Sequence, residues 1–156
     1  MTVEKDDDGA EAHRPHETEA WQDALAFWRS YTAEMFNDAL KEQVRDCVAH
    51  TSSTIEEWRA AVRGDAAAAI KIALGMRMPE EVNARLDLTM TVLLAAAFKD
   101  AVAAPVMAHL LNKAPLHPID RIGLSTSWML HNIWCESRIR NARRRRRLRG
   151  GHGADV

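Results

Sequence analysis

The sequence predicts an all-α fold of three to five helices, one of them long and amphipathic, closed into a bundle or an extended helical hairpin. Three observations carry this. Apolar residues recur at steps of three or four from Trp21 to Val62, the period of one helix face. No segment alternates apolar and polar with the period of a strand, and no Asn-Gly or Asp-Gly turn joins two apolar runs. The breaks between apolar segments are helix punctuation: Pro79 followed by Glu80 and Glu81, the glycines Gly64 and Gly75, and "NKAPLHP" at 112–118.

Taken in order, residues 1–17 are charged, hold Gly9 and Pro15 and show no apolar period, so a disordered acidic tail is expected there. A helical domain is expected over 18–137, with Thr18 able to cap its first helix. Trp21, Leu25, Trp28, Thr32, Phe36, Leu40, Val44, Cys47, Thr51, Ile55, Trp58 and Val62 then form one stripe. "HTSST" at 50–54 interrupts it, and Ser53 with Glu56 makes a Ser-x-x-Glu capping box. The segment is therefore one kinked helix or two with a tight joint.

An alanine-rich helix follows between Gly64 and Gly75. Proline at a first position, with acids in the first turn, predicts the next helix from Pro79. Val82, Leu86, Met90, Leu93, Ala97 and Ala101 share one of its faces, and Val92, Leu94 and Phe98 widen it, so this helix should be central. Pro105 should kink or end it. After the 112–118 break a last helix runs from about Ile119, or from Ser125, into the arginines, with Trp128, Ile133, Trp134 and Ile139 as its apolar positions. Residues 138–156 form an Arg-rich tail, helical at the start and disordered at the end.

The formal net charge of −1 hides an asymmetry. Residues 1–20 carry seven acids and two bases, whereas 136–156 carry eight arginines and two acids. Those arginines are Arg138, Arg140, Arg143, Arg144, Arg145, Arg146, Arg147 and Arg149. End-loaded charge of this kind marks an interaction tail. Three fates fit it: a solvated end without a partner, a nucleic-acid grip in which each neutralised phosphate releases a counterion, or contact with an anionic surface. Arginine outnumbers lysine sixteen to five, a bias a GC-rich coding sequence also produces.

Two distant cysteines, Cys47 and Cys135, make no disulfide framework, and a reducing cytoplasm is expected. The N-terminus lacks the apolar core of a signal peptide. The most apolar region, 86–111, is interrupted by Lys99, Asp100, Pro105 and His109, so no transmembrane span is expected.

No phosphate-binding glycine loop, nucleophile elbow or His-Glu-x-x-His zinc motif is present, so no catalytic residue and no cofactor are assigned. Cys47-x-x-His50 and His131-x-x-x-Cys135 each place two ligands on one helix face and would offer a zinc site if they met. Cys47 lies on the apolar stripe and reads first as a small core residue, so no metal is assigned. The five tryptophans admit two roles, core packing or contact with an apolar surface.

Over residues 21 to about 118 the layout resembles the phasin family of polyhydroxyalkanoate granule proteins. The residues that carry this are the long amphipathic segment "WQDALAFWRSYTAEMFNDALKEQVRDCVAHTSSTIEEWRAAVRG", the alanine-rich stretch, "MRMPEEVNARLD" opening a second helix, and the "APLHP" break. The chain departs from the family in having only two glutamines, five tryptophans, two cysteines and an arginine end. The resemblance implies a bacterial, cytoplasmic, granule-associated protein with a non-enzymatic coating role. It also implies that a basic end can tether granules to the nucleoid.

The expectation is thus a non-enzymatic helical interaction protein that self-associates and meets a hydrophobic granule. Trp21, Leu25, Trp28, Phe36, Leu40, Val44, Ile55 and Trp58 are its expected apolar-surface or oligomer contacts. The eight arginines are its expected anion or nucleic-acid contacts. The alternatives are a small nucleic-acid-binding protein acting through those arginines, or a helical accessory subunit of a larger complex.

Overall fold

A computed structural model describes residues 23–150, with side chains described as far as 146. Among the described residues there are seven α-helices from Phe27 onward and one short 3-10 turn, and no strand. The helices are α1 (Phe27–Ser30), α2 (Asp38–His50), α3 (Trp58–Val62), α4 (Ala66–Gly75), α5 (Ala84–Ala97), α6 (Ala103–Leu111) and α7 (Pro118–Gly150), with the 3-10 turn at Ala33–Met35. The all-α class holds. The helix number is higher than the expected three to five, and the reason is local.

The first stripe does not lie on one long helix. Tyr31 and Thr32 are extended, and the Ala33 amide N–H donates to Ser127 Oγ at 3.0 Å instead of to a carbonyl one turn back. Asn37 then restarts the helix by accepting from the Leu40 amide at 2.9 Å. A second break spans 51–57. The expected capping box does not form: Ser53 Oγ accepts from the Ile55 amide in a tight turn, and α3 begins only at Trp58. Glu57, just before α3, has φ 68, the left-handed region that a non-glycine residue enters only at a cost. A helix-period stripe survives these breaks because each short helix still turns its apolar face to the interior.

Pro79 does not start the fifth helix either. Asn83 does, its side chain accepting from the Leu86 amide at 2.9 Å. The expected centrality of that helix is borne out. Thr89, Met90, Thr91, Val92, Leu93 and Leu94 are all buried, so α5 meets neighbours on every side. It ends at Ala97, and Pro105 lies in the first turn of α6, where its missing N–H leaves no gap. The 112–118 break falls where the sequence placed it, and Pro118 is the first residue of α7.

Two apolar clusters meet across α5. The larger gathers Trp28, Phe36, Val44, Cys47, Leu86, Met90, Leu94, Met107, Leu111 and Trp128. The smaller holds Val48, Trp58, Ala69, Ile72 and Val92. Phe27, Tyr31, Phe36, Phe98 and Trp128 form a chain of rings 5.0–6.2 Å apart that ties α1 to Phe98, just past α5, and to α7.

Candidate interaction surface

The expected contact residues of the first stripe lie in the interior. Trp28, Phe36, Val44 and Trp58 are buried, and Leu25, Leu40 and Ile55 are half-buried against the same clusters. The Trp28 indole N–H donates to Asp87 Oδ1 at 2.8 Å, and the same oxygen takes the Arg29 Nε at 3.4 Å. The Trp58 indole N–H donates to the Thr51 carbonyl at 3.0 Å. A tryptophan whose one polar atom is satisfied inside the chain is a core residue. Trp21 lies outside the described residues. The stripe is taken up by the chain's own core, not by an outside surface.

The apolar surface that is exposed belongs to α7, which is apolar on two opposite sides. Its inner side lays Leu124, Ser127 and Trp128 on the core, and Ser127 Oγ accepts the Ala33 amide there. On the outer side Ile119, Ile122, Met129, Leu130, Ile133 and Trp134 are each more than half exposed, Trp134 at 70% and Ile119 at 74%. Positions 119, 122, 126, 130 and 133 advance by three and four, so these side chains form a ridge along one face. Thr126 and Gly123 are the small residues on it. An added Cβ at Gly123 would meet nothing within 4 Å, so no contact inside the chain calls for a glycine there.

The same helix carries the arginines. From Pro118 to Gly150 it is about 50 Å long at 1.5 Å per residue. Arg138, Arg140, Arg143, Arg144, Arg145 and Arg146 are exposed and follow directly on the ridge, and α7 continues as backbone through Arg147 and Arg149. Cations near a helix C-terminus also complement its dipole. The ridge was legible in the sequence. Apolar residues on opposite sides of the helix form one set of apolar positions in the sequence, whereas Trp128 faces inward, Ile139 lines a cleft with Ala97 and Phe98 on that same side, and Ile133 and Trp134 face outward.

The zinc ligands suggested by spacing are not brought together. No group of three or more His, Cys, Asp or Glu able to hold a metal exists among the described residues. Cys47 is buried and His50 is exposed, its Nδ1 lying 2.8 Å from the Asp46 carbonyl oxygen. On α7, His131 Nε2 lies 3.6 Å from Cys135 Sγ, beside a cleft of about 220 Å³ that Asn132, Lys99 and Arg138 also line. Burial pulls the His131 pKa down, and nearby Lys41 acts in the same direction. Burial pushes the Cys47 thiol pKa up, so it resists forming the thiolate. In native protein an aromatic disulfide reagent is expected to label the half-exposed Cys135 at least tenfold faster than Cys47, as mass mapping of the labelled peptides will show. Equal rates would mean that α2 is not packed as described.

Compared with known proteins, the chain matches no family model, no curated protein and no solved structure. Nothing in these comparisons bears on the phasin resemblance. No helix among the described residues is long and apolar enough to cross a membrane.

Proposed function

We propose that the chain is a non-enzymatic helical interaction protein whose working surface is α7. The apolar ridge docks a partner, and the arginine run beyond it grips a polyanion, with nucleic acid the leading case. The observation that supports this most is the ridge itself. Six large apolar side chains stand exposed on one face, a patch that a monomeric protein rarely keeps without use. The arginines continue the same helix, so one rigid element presents both features.

A hydrophobic granule surface, as the phasin resemblance implies, is a partner for this ridge and not for the tryptophan stripe, which the core occupies. An accessory role in a larger complex would use the same face. Arginines at a helix end supply affinity without sequence choice, because phosphate contacts position but do not specify.

The test is a titration of duplex DNA at several salt concentrations. With five or six phosphates engaged, log affinity should fall against log salt with a slope of roughly −4 to −5, from ~0.9 per contact. Changing Arg143 through Arg147 to alanine should remove most of the binding and leave the melting temperature unchanged. A DNA affinity that ignores salt, or that survives those five substitutions, would overturn the polyanion role.

A further inference from the structure

We infer that the outer ridge of α7 is the seat of a second copy of this chain, packed antiparallel about a two-fold axis near Thr126. This rests on the reading of α7 as the working surface and names what covers its apolar part.

Three observations favour a second copy. The first is the self-matching of the ridge. With the axis at Thr126, Ile119 of one copy faces Ile133 of the other, and Ile122 faces Leu130. A closed dimer needs one patch that fits itself in this way. Small residues sit at the centre, where two helices must come closest. Gly123, which costs up to about 1 kcal/mol inside a helix, has nothing near it in its own chain. A neighbouring helix passing over Gly123 and Thr126 supplies the missing reason.

The second is area. Six apolar side chains at more than half exposure, a tryptophan among them, amount to roughly 600–800 Å², the share one partner gives to a standard-size interface. The ridge from Ile119 to Trp134 is about 22 Å long, enough for three turns of each helix to stay in contact at a shallow crossing.

The third is charge, which decides the direction. A parallel pair would set two arginine runs side by side at the ~10 Å spacing of packed helices. An antiparallel pair sends them to opposite ends, about 50 Å apart, several times the Debye length of ~8 Å at physiological salt. It also opposes the two helix dipoles. Such a dimer presents two cationic ends, and a long polyanion that reaches both gains avidity without any new contact.

Sedimentation equilibrium of the full chain at about 100 μM is the test, with Ile122→Glu/Leu130→Glu as the ridge variant. The wild type should run at twice the chain mass. The variant should run as a monomer with unchanged circular dichroism, its dimer affinity weakened more than about 100-fold, two buried contacts being removed at once. Thr126→Arg, which sets two charges together on the axis, should act alike if the double variant fails to fold. Direction is read by oxidative cross-linking in a Cys135→Ser background. A mixture of Ile119→Cys and Ile133→Cys chains should cross-link, and Ile119→Cys alone should not.

A monomeric wild type, or ridge variants that stay dimeric, would overturn the inference. So would cross-linking of Ile119→Cys to itself. A monomer that co-floats with neutral phosphatidylcholine vesicles would hand the ridge to a lipid surface. In each of those cases the DNA titration still reports on the arginines, so the reading of α7 as a working surface is judged separately.

Discussion

Replacing Trp28 by alanine is expected to destabilise the fold by about 3–5 kcal/mol, the range for emptying a fully buried indole. Trp28 has no exposed surface and lies in the larger cluster. Its loss also leaves Asp87 Oδ1 with only the longer contact to Arg29. Trp28→Phe separates the two contributions. It keeps most of the apolar volume and removes the hydrogen bond to a charged acceptor, which is worth about 1.5–3 kcal/mol. Urea melts followed by tryptophan-independent far-ultraviolet circular dichroism will rank the three proteins. If Trp28→Ala costs less than about 1 kcal/mol, the side chain is not a core element and the stripe is free for a surface after all.

That measurement bears on the main difference between expectation and structure. The period of the first stripe and its interruption after His50 match the structure, whereas the unbroken helix expected ahead of that interruption is divided again at 31–37. Trp28, Phe36, Val44 and Cys47 face the larger cluster and Trp58 the smaller, all of them buried, yet the backbone leaves the helix twice between them. What broke it was tertiary. The Ala33 amide is committed to Ser127, 94 residues away, and the Thr51 carbonyl to Trp58. No local propensity encodes those bonds, since context routinely overrides propensity. The capping residues that mattered, Asn37, Asp65 and Asn83, are ordinary N-caps. Ser53-x-x-Glu56 and Pro79-Glu80-Glu81 looked stronger as start signals and start nothing.

The surface shows the opposite pattern. The arginine run was evident at once, because charge clustering needs no fold to be seen. The ridge beside it needed one further step. A helix with Leu124 and Trp128 on one side and Ile122, Leu130 and Ile133 on the other cannot bury both against a single neighbour. The five tryptophans drew attention to the wrong end of the chain. Trp134, the most exposed of the four described tryptophans, lies in α7, while Trp28, Trp58 and Trp128 are buried.

Two truncations are expected to behave as different molecules. Ending the chain at Ser137 removes the arginine run. The side chains of 138–146 are all exposed, so the melting temperature should move little, by the equivalent of less than ~1 kcal/mol, as for surface changes generally. Ending it at His117 removes all of α7. That takes Leu124 and Trp128 out of the core, leaves Phe36 and Phe98 without the ring that packs near them, and strips the Ala33 amide of its acceptor. Core truncations of one leucine and one tryptophan together cost on the order of 5–10 kcal/mol. The whole stability of a domain this size is only about 5–15 kcal/mol. The shorter chain should therefore show no cooperative thermal transition, while the 137-residue chain keeps one. A cooperative melt from the chain ending at His117 would mean that α7 is an appendage, with both its sides free. Loss of the melt at Ser137 would mean that the arginine segment is itself part of the fold, and that an exposed cationic end is the wrong description of it.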